Sequence, residues 1–308
     1  MATKPRTIFD DDRSASASEP GDGSVAPSTP ASTPDDAGGA SATSAASATS
    51  AASASSETAR SQTVGPSARG RRRGIAGWGP VLLVRAAHPG QAVLTALGLG
   101  VAAALAGRPA RELALVVATV LVGQAILGWH NDLVDEDRDR VHHRAHKPVA
   151  DGRLDPGTVW FALACGVLLV VPLAISGGVV AGLCYLASVL VGLLGNVVGR
   201  RGLLSFLPWA ISYGLYPAFL SYGGWGGQAD GNPPQPVMVA LAALLGVGVH
   251  VLTALWGLVA DNADGWTYLP LRLGARLGAT TLLVATVCYL VLVVAGLLYA
   301  GHRVGLSR

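Results

Sequence analysis

Three aspartates near the middle of the chain have the spacing of side chains that act together. Asp132, Asp135 and Asp139 are three and then four residues apart, which on an α-helix places all three on one face. Asn131 lies near the edge of that face, and Asp137 points to a different side. Carboxylates that face one way repel one another, so a cation must offset the cost. Hard oxygen ligands suit Mg²⁺, which keeps some of its waters and bridges to substrate phosphates.

An acidic stretch at a helix end is also what a solvated loop at a membrane boundary would contain. The 3,4 spacing, the apolar helix that leads in and the basic loop that leads out all disfavour that alternative. In this basic loop, Lys147 and Pro148 begin a turn that contains Gly152. Lys147 could contact anionic oxygens, or it could anchor the loop on the positively charged side of a membrane.

A second acidic stretch follows a later apolar run. It contains Asp261 and Asp264, which are a helical turn apart. His250 lies within the apolar run itself, and polar groups at membrane depth are costly and often functional. His250 either makes a hydrogen bond to a neighbouring helix or positions a substrate in a cavity.

The elements that must position these side chains are apolar helices. Of the 308 residues, 51% are hydrophobic and 13% are charged, against about 25% charged in a typical soluble domain. A membrane-spanning helix needs about 20 mostly apolar residues. Seven stretches qualify, near residues 89–107, 112–130, 157–176, 178–198, 203–222, 237–259 and 278–300. The sequence therefore predicts an all-α, polytopic transmembrane helical bundle over residues 78–308.

Lys and Arg residues concentrate on one side of these spans. That side holds the loop 132–153, Arg200, Arg201, Arg272 and Arg276. The opposite side holds a Gly- and Pro-rich loop, 223–236, with no Lys or Arg. We expect the protein to lie in the plasma membrane. The positive-inside rule then places its amino terminus and its acidic clusters on the cytoplasmic side.

Residues 1–77 differ from the rest in composition. They are rich in Ser, Ala and Pro and end in a basic cluster, 69–73, so they predict a disordered tail that buries too little surface to fold. The net charge of +3 gives no reason to expect a nucleic-acid partner. Cys165, Cys184 and Cys288 lie in apolar runs without metal-ligand spacing and are expected as small buried hydrophobic residues.

Three segments together resemble the UbiA superfamily of membrane prenyltransferases. Residues 131–152 are similar to its first signature, Asn-Asp-x-x-Asp-x-x-x-Asp, followed by a Lys-Pro turn with Gly. Residues 261–274 resemble the second signature, an acidic stretch with Gly and then Leu-Pro-x-Arg-Leu-Gly. Asn196 and Arg200 resemble a Tyr-Asn-x-x-x-Lys pattern at the cytoplasmic end of the fourth span. The similarity extends over about residues 79–300.

This resemblance implies a bundle in which two aspartate motifs face each other across a central cavity. Magnesium ions would bridge the motifs to the diphosphate of an isoprenoid donor, and an acceptor, often an aromatic ring or a hydroxyl, would attack the allylic cation. By position, the catalytic residues would be Asp132, Asp135, Asp139 and Asp261, which with Asn131 would also be the metal ligands. Lys147 and Arg200 would contact the diphosphate, and the further candidates for substrate binding are Asn131, Asp264, Arg272 and His250.

The chain departs from the family pattern in its second motif and in its length. Gly257 stands four residues before Asp261, where the resemblance implies an aspartate, and Thr253 stands where it implies an asparagine. Asp264 could compensate, or the second metal site could be weak or absent. The family generally has nine spans, and only about seven are predicted here.

Three functions therefore compete at this point. The first is Mg²⁺-dependent transfer of an isoprenoid group from its diphosphate to an unknown small-molecule or lipid acceptor. The second is transfer of a phosphoribosyl group to a polyprenyl phosphate on the same fold, which residues 139–142 faintly resemble. The third is a non-catalytic membrane scaffold or transporter with a decayed site.

Overall fold

The computed structural model describes residues 77–304, except 145, 199 and 225–230. The predicted tail therefore lies almost wholly outside the described residues. Within the described part the regular structure is helical, without strands. The α-helices are α1 (Gly79–Ala86), α2 (Pro89–Leu105), α3 (Ala110–Val134), α4 (Glu136–Val141), α5 (Pro156–Ser176), α6 (Val179–Val197), α7 (Leu207–Gly214), α8 (Tyr216–Ser221), α9 (Pro236–Ala254), α10 (Leu258–Ala263), α11 (Leu269–Leu277) and α12 (Ala279–Val304). Short 3₁₀ turns at Leu203–Phe206 and Leu255–Gly257 precede α7 and α10.

The bundle has the lengths and the outer surface of a multi-pass membrane protein. Within the described ranges, six helical segments are long and apolar enough to span a membrane, and the bent pair α1 and α2 makes a seventh if it counts as one span. Large apolar side chains cover the outside of the bundle, for example Leu168, which is 76% exposed, and Leu292, which is 71% exposed. Contact of such side chains with lipid is favourable, whereas their exposure to water is unfavourable. The all-α transmembrane prediction is confirmed.

Two of the predicted spans are interrupted. The predicted span 203–222 begins with a 3₁₀ turn and breaks between α7 and α8, because Pro217 cannot donate the backbone hydrogen bond that would continue the helix. The predicted span 237–259 ends as an α-helix at Ala254, and the 3₁₀ turn then redirects the chain into α10. Both interruptions lie beside the cavity described below.

The two ends of the bundle differ in how they are held. At one end, the α5–α6 turn is tied to the loop after α8 by a hydrogen bond from Gly224 N to Gly177 O. Arg108 supports the same end, because its guanidinium pairs with Glu112 at 2.8 Å and donates to the carbonyl oxygens of Leu220 and Gly223. At the opposite end, α3, α6 and α9 lead into segments that carry charged residues, among them Asp135, Arg200 and Asp261. The predicted chemistry therefore lies at one mouth of the bundle.

Glycines allow the helices that build this mouth to approach closely. A Cβ at Gly246 of α9 would overlap the carbonyl oxygen of Trp209 in α7 and would lie 2.8 Å from the Cβ of Tyr213. A Cβ at Gly128 of α3 would lie 2.6 Å from the backbone of Ala87, where α1 gives way to α2. Small residues at helix contacts are typical of membrane bundles, since they let backbones meet.

The expectation that the cysteines are buried is wrong for two of them. Cys165 and Cys288 are exposed on the bundle surface, and Cys184 is half-buried. An apolar run in a membrane helix has a lipid-facing side as well as a core-facing side, and the run alone does not distinguish the two.

Replacing Gly246 should destabilise the bundle, and replacing a matched glycine should not. We expect Gly246→Ala to cost about 1–3 kcal/mol, because α7 and α9 must separate to admit a methyl group. Gly98→Ala is the control: it is also helical, but a Cβ there meets nothing within 4 Å. Thermal unfolding in detergent should show a lower midpoint for Gly246→Ala only. Equal midpoints for the two variants would contradict the close α7–α9 contact.

Candidate active site

A cavity of about 460 Å³ opens at the charged mouth of the bundle. Its polar lining includes His88, Gln91, Gln124, Asn131, Asp135, Arg138, Arg144, Lys147, Asn196, Arg200, Ser205, Ser212, His250, Thr253 and Asp261. Its apolar and aromatic lining includes Leu127, Pro208, Trp209, Tyr213, Tyr216, Trp266 and Tyr268. The first aspartate motif and Asp261 therefore meet across one cavity.

The three spaced aspartates are withdrawn from water. Asp132 and Asp139 are each 2% exposed and Asp135 is 5% exposed, whereas the side chain of Asp137 is 95% exposed. α3 ends at Val134, and Asp135 links it directly to α4, so the three carboxylates stay on the inner side of this joint. Burying carboxylates together is costly unless positive charges lie beside them.

Lys147 lies between two of these aspartates. Its Nζ is 2.6 Å from Asp132 Oδ1 and 3.2 Å from Asp139 Oδ2, and it also donates to Asn131 Oδ1 at 3.3 Å. The contact with Asp139 is ionic without the geometry of a hydrogen bond, since both Asp139 oxygens lack a hydrogen-bond partner. Lys147 thus separates Asp132 and Asp139 from the cavity that it helps to line.

Arg200, near the end of α6, contacts the remaining aspartate of the motif. Its Nη1 is 2.5 Å from Asp135 Oδ1 and its Nη2 is 2.6 Å from Asp135 Oδ2, which is a bidentate pair. Asn131 donates to the same carboxylate at 3.1 Å. Asn196, one turn before Arg200, donates instead to the carbonyl of Leu127 and so fixes α6 against α3.

Arg138 joins the two acidic motifs. Its guanidinium bonds to Asp261, pairs with Asp264 at 2.6 Å, and stacks on the ring of Trp266 at 4.1 Å. Hydrogen bonds from Arg138 and then from His142 hold the pKa of Asp264 below its usual value. Asp264 is therefore an anion that holds Arg138 in place.

Asp261 has a second partner in Tyr268. The Tyr268 hydroxyl donates to Asp261 Oδ2, and burial, followed by this bond, raises the pKa of the phenol, so that it remains a donor. Asp261 is 5% exposed and faces the cavity between Tyr268 and Arg138. Its orientation is thus fixed from both sides.

His250 and Arg272, both predicted to bind substrate, lie in different places. His250 of α9 is on the cavity wall, where its Nε2 is 3.0 Å from Ser205 Oγ and its ring lies 5.7 Å from Trp209. Arg272 is exposed, and its Nε donates to the carbonyl of Thr267. The structure does not bring Arg272 to the cavity, because α11 turns that residue outward and buries Leu271 and Gly274 instead.

The sequence reasoning missed three residues of the site: His88, Arg138 and Tyr268. His88 lies at the bend between α1 and α2 with a left-handed backbone (φ 53°), and its Nε2 is 3.2 Å from Asp132 Oδ1. A histidine immediately before a proline at the start of a span is a weak signal that could have indicated it. Arg138 stands inside the acidic motif, where a basic residue among acids could have been noticed.

The expected ligands of Mg²⁺ are present, but their side chains do not converge on a common coordination centre. Among the described residues, no group of three or more Asp, Glu, His or Cys side chains is arranged to hold a metal ion. The site differs from expectation because basic side chains lie between the carboxylates. The donor set nonetheless fits Mg²⁺, since Asp132 Oδ2 and both Asp139 oxygens are buried without hydrogen-bond partners and are hard ligands.

Comparison with known proteins supports the fold. Two solved structures of a UbiA homologue from Archaeoglobus fulgidus are similar in fold, one bound to GPP and Mg²⁺ and one bound to DMAPP and Mg²⁺. The first is 16% identical with a TM-score of 0.53, and covers 69% of this chain and 77% of its own. The second is 18% identical with a TM-score of 0.53, and covers 69% and 76%.

The family comparison covers most of the membrane part. No curated protein matches the chain significantly. The sequence profile of the UbiA prenyltransferase family matches residues 92–306, which include both aspartate motifs and every helix from α3 to α12. Because this match covers well over half of the 308 residues, the chain belongs to the UbiA prenyltransferase family.

Proposed function

We propose that this protein is a Mg²⁺-dependent membrane prenyltransferase that moves an isoprenoid group from an allylic diphosphate to a small-molecule or lipid acceptor. The observation that carries the proposal is the single cavity that contains Asn131 and Asp135 on one wall and Asp261 on the other. Family membership and the fold shared with a homologue bound to GPP or DMAPP with Mg²⁺ support it.

The inner walls of the cavity suit a hydrocarbon chain. Trp209, Tyr213 and Tyr216 form a continuous aromatic surface, with ring centres 6.4 Å and 5.1 Å apart along the series. The Tyr216 hydroxyl accepts a hydrogen bond from Gln124 at 3.3 Å, and the rings of the three residues provide the apolar area of this wall. Such walls favour an isoprenoid donor over the polar phosphoribosyl donor, which would leave its hydroxyls unpaired there.

Magnesium, when bound, would neutralise the diphosphate and make it a better leaving group. Asn131, Asp132, Asp135 and Asp139 are proposed to hold an ion at the first motif, and Asp261 is the ligand that the second motif offers. Asp132 and Asp139 can reach a ligand in the cavity only if Lys147 shifts, because its amine covers both carboxylates. The displaced amine would remain close enough to contact a diphosphate oxygen.

The other residues of the mouth would bind and orient the leaving group. Arg200 lines the cavity beside Asp135, where its guanidinium can share its donors between that carboxylate and a phosphate oxygen. Tyr268 and Arg138 hold Asp261 facing the cavity. Fixed charges of this kind act most strongly where water is excluded.

His250 is proposed to contact the acceptor. It lies on the same aromatic wall as Trp209, its ring centre is 6.2 Å from that of Tyr268, and its Nε2 shares a hydrogen bond with Ser205. An imidazole paired with a hydroxyl can accept a proton from a phenol or alcohol. Asp264 would act by holding Arg138 rather than by touching substrate, since it is not on the cavity wall.

A non-catalytic scaffold is the poorer alternative. Such a protein would gain nothing from four buried or nearly buried carboxylates whose desolvation is costly. Because these carboxylates lie beside a cavity rather than in a solid core, a bound ligand that offsets their desolvation free energy is the better explanation.

Removing the first-motif carboxylates should abolish release of diphosphate. We expect Asp132→Asn and Asp135→Asn to lower Mg²⁺-dependent diphosphate release from GPP or DMAPP by at least about 100-fold, since electrostatic stabilisation of the leaving group is lost. Asp137→Asn is the matched control, because Asp137 belongs to the same motif but faces water. The measurement is diphosphate released by purified protein, with a thermal melt of each variant to show that it is folded.

Release that is unchanged in both folded variants would remove the transferase proposal. Release from a phosphoribosyl diphosphate, but not from the allylic diphosphates, would favour the phosphoribosyl alternative instead.

The charged mouth is proposed to face the cytoplasm, following the distribution of Lys and Arg. Asp151 lies in the exposed loop at that mouth, and Asn232 lies in the exposed loop at the opposite end. In intact cells, a membrane-impermeant maleimide should label Asn232→Cys but not Asp151→Cys, and lysis should expose both. The wild-type chain gives the background from its three cysteines. The reverse labelling pattern would contradict the orientation.

A further inference from the structure

The position where the family resemblance implies an aspartate is filled by a neighbouring side chain. Gly257 ends the 3₁₀ turn before α10 and lines the cavity. A Cβ at this position would lie 2.8 Å from Arg144 Nη2 and 2.9 Å from Asp261 Oδ2. Any side chain at residue 257 would therefore enter the space that the Arg144 guanidinium occupies, and the guanidinium would have to move.

Arg144 places a positive charge between the two aspartate motifs. Its Nε is 3.6 Å from Asp139 Oδ1, in the first motif, and its Nη2 is 3.9 Å from Asp261 Oδ1, in the second. A divalent cation that bridged the motifs would have to occupy the same region. The guanidinium thus neutralises in part the carboxylates that such a cation would neutralise.

The contacts of Arg144 are looser than those of the other basic residues in the cavity. Lys147, Arg138 and Arg200 each approach a carboxylate to 2.6 Å or closer. Arg144 lies more than 3.5 Å from both of its carboxylate partners. Its guanidinium therefore retains donors that can turn to a third anion in the cavity.

The loop that carries Arg144 holds it in this position. His143 and His146 both have left-handed backbone conformations, with φ of 47° and 71°. The Arg144 amide donates to the carbonyl of Asp139, so the loop folds back against α4. Left-handed conformations at residues other than glycine cost energy and persist where the surrounding structure determines them.

We infer that the Arg144 guanidinium replaces one of the divalent cations of this site, so that the chain binds a diphosphate between magnesium at the first motif and Arg144 beside Gly257. A guanidinium is always charged and offers paired donors that match phosphate oxygens. It needs no aspartate at position 257 to hold it, and its presence explains why glycine stands there. The inference rests on the proposed binding of a diphosphate donor.

Counting bound metal tests this inference without using catalysis. Purified protein is dialysed against Mg²⁺ and saturating inorganic diphosphate, and bound magnesium and diphosphate are measured per chain. The wild type should bind one magnesium ion with each diphosphate. Arg144→Ala combined with Gly257→Asp vacates the space and supplies a carboxylate, and should bind two.

Single variants distinguish the effect of the Arg144 charge from the effect of the space that its side chain occupies beside Gly257. Arg144→Ala alone should weaken diphosphate binding by about 10- to 100-fold, as expected for loss of hydrogen bonds from a charged group. Arg140→Ala is the matched control, because Arg140 lies on α4 nearby but pairs with Glu136 and Asp137 at the surface. It should change neither the affinity nor the metal count.

Two magnesium ions per diphosphate in the wild type would overturn the inference while leaving the proposed function intact. An unchanged affinity in Arg144→Ala would overturn it as well. No binding of diphosphate to the folded wild type, with or without Mg²⁺, would instead overturn the proposed function. The wild-type count decides the question even if the double variant fails to fold.

Discussion

The structure depends on the compensation of buried negative charge at one mouth of the bundle. Asp132, Asp135, Asp139 and Asp261 are all 5% exposed or less, and unpaired carboxylates at such burial would be too costly to keep ionised. The opposite charge comes from α4, the loop after α4 and the segment after α6, which carry Arg138, Arg144, Lys147 and Arg200. Because these cations come from segments far apart in sequence, their ion pairs also decide how the helix ends meet.

This compensation has a consequence for ligand binding. Basic residues that pair with carboxylates attract a diphosphate less strongly than unpaired ones would, and the carboxylates would repel it. We propose that a diphosphate bound together with a divalent cation would change both effects, because Asp132, Asp135 and Asp139 would hold the metal and Lys147 and Arg200 could then contact the phosphates. The glycines that bring α7 onto α9 and α3 onto the α1–α2 bend keep the cavity narrow enough for these charges to act together.

Much of this arrangement could be predicted from the sequence. The apolar runs gave the helical spans, and the 3,4 spacing of Asp132, Asp135 and Asp139 indicated a shared buried side with Asp137 outside. The spacing could not predict which basic side chains form ion pairs with the carboxylates of the site, because pairs such as Arg138 with Asp261 join residues more than a hundred positions apart. The bend that brings His88 to Asp132, and the outward turn of Arg272, also depend on tertiary packing rather than on local pattern.

The most direct test of this account is the affinity of the purified protein for inorganic diphosphate, measured by calorimetric titration with and without Mg²⁺. If Lys and Arg side chains neutralise the buried carboxylates until Mg²⁺ replaces them, diphosphate should bind measurably only when Mg²⁺ is present. Reciprocally, diphosphate should raise the affinity for Mg²⁺ by the same factor that Mg²⁺ raises the affinity for diphosphate. Equal affinity for diphosphate in the presence and absence of Mg²⁺ would contradict the account.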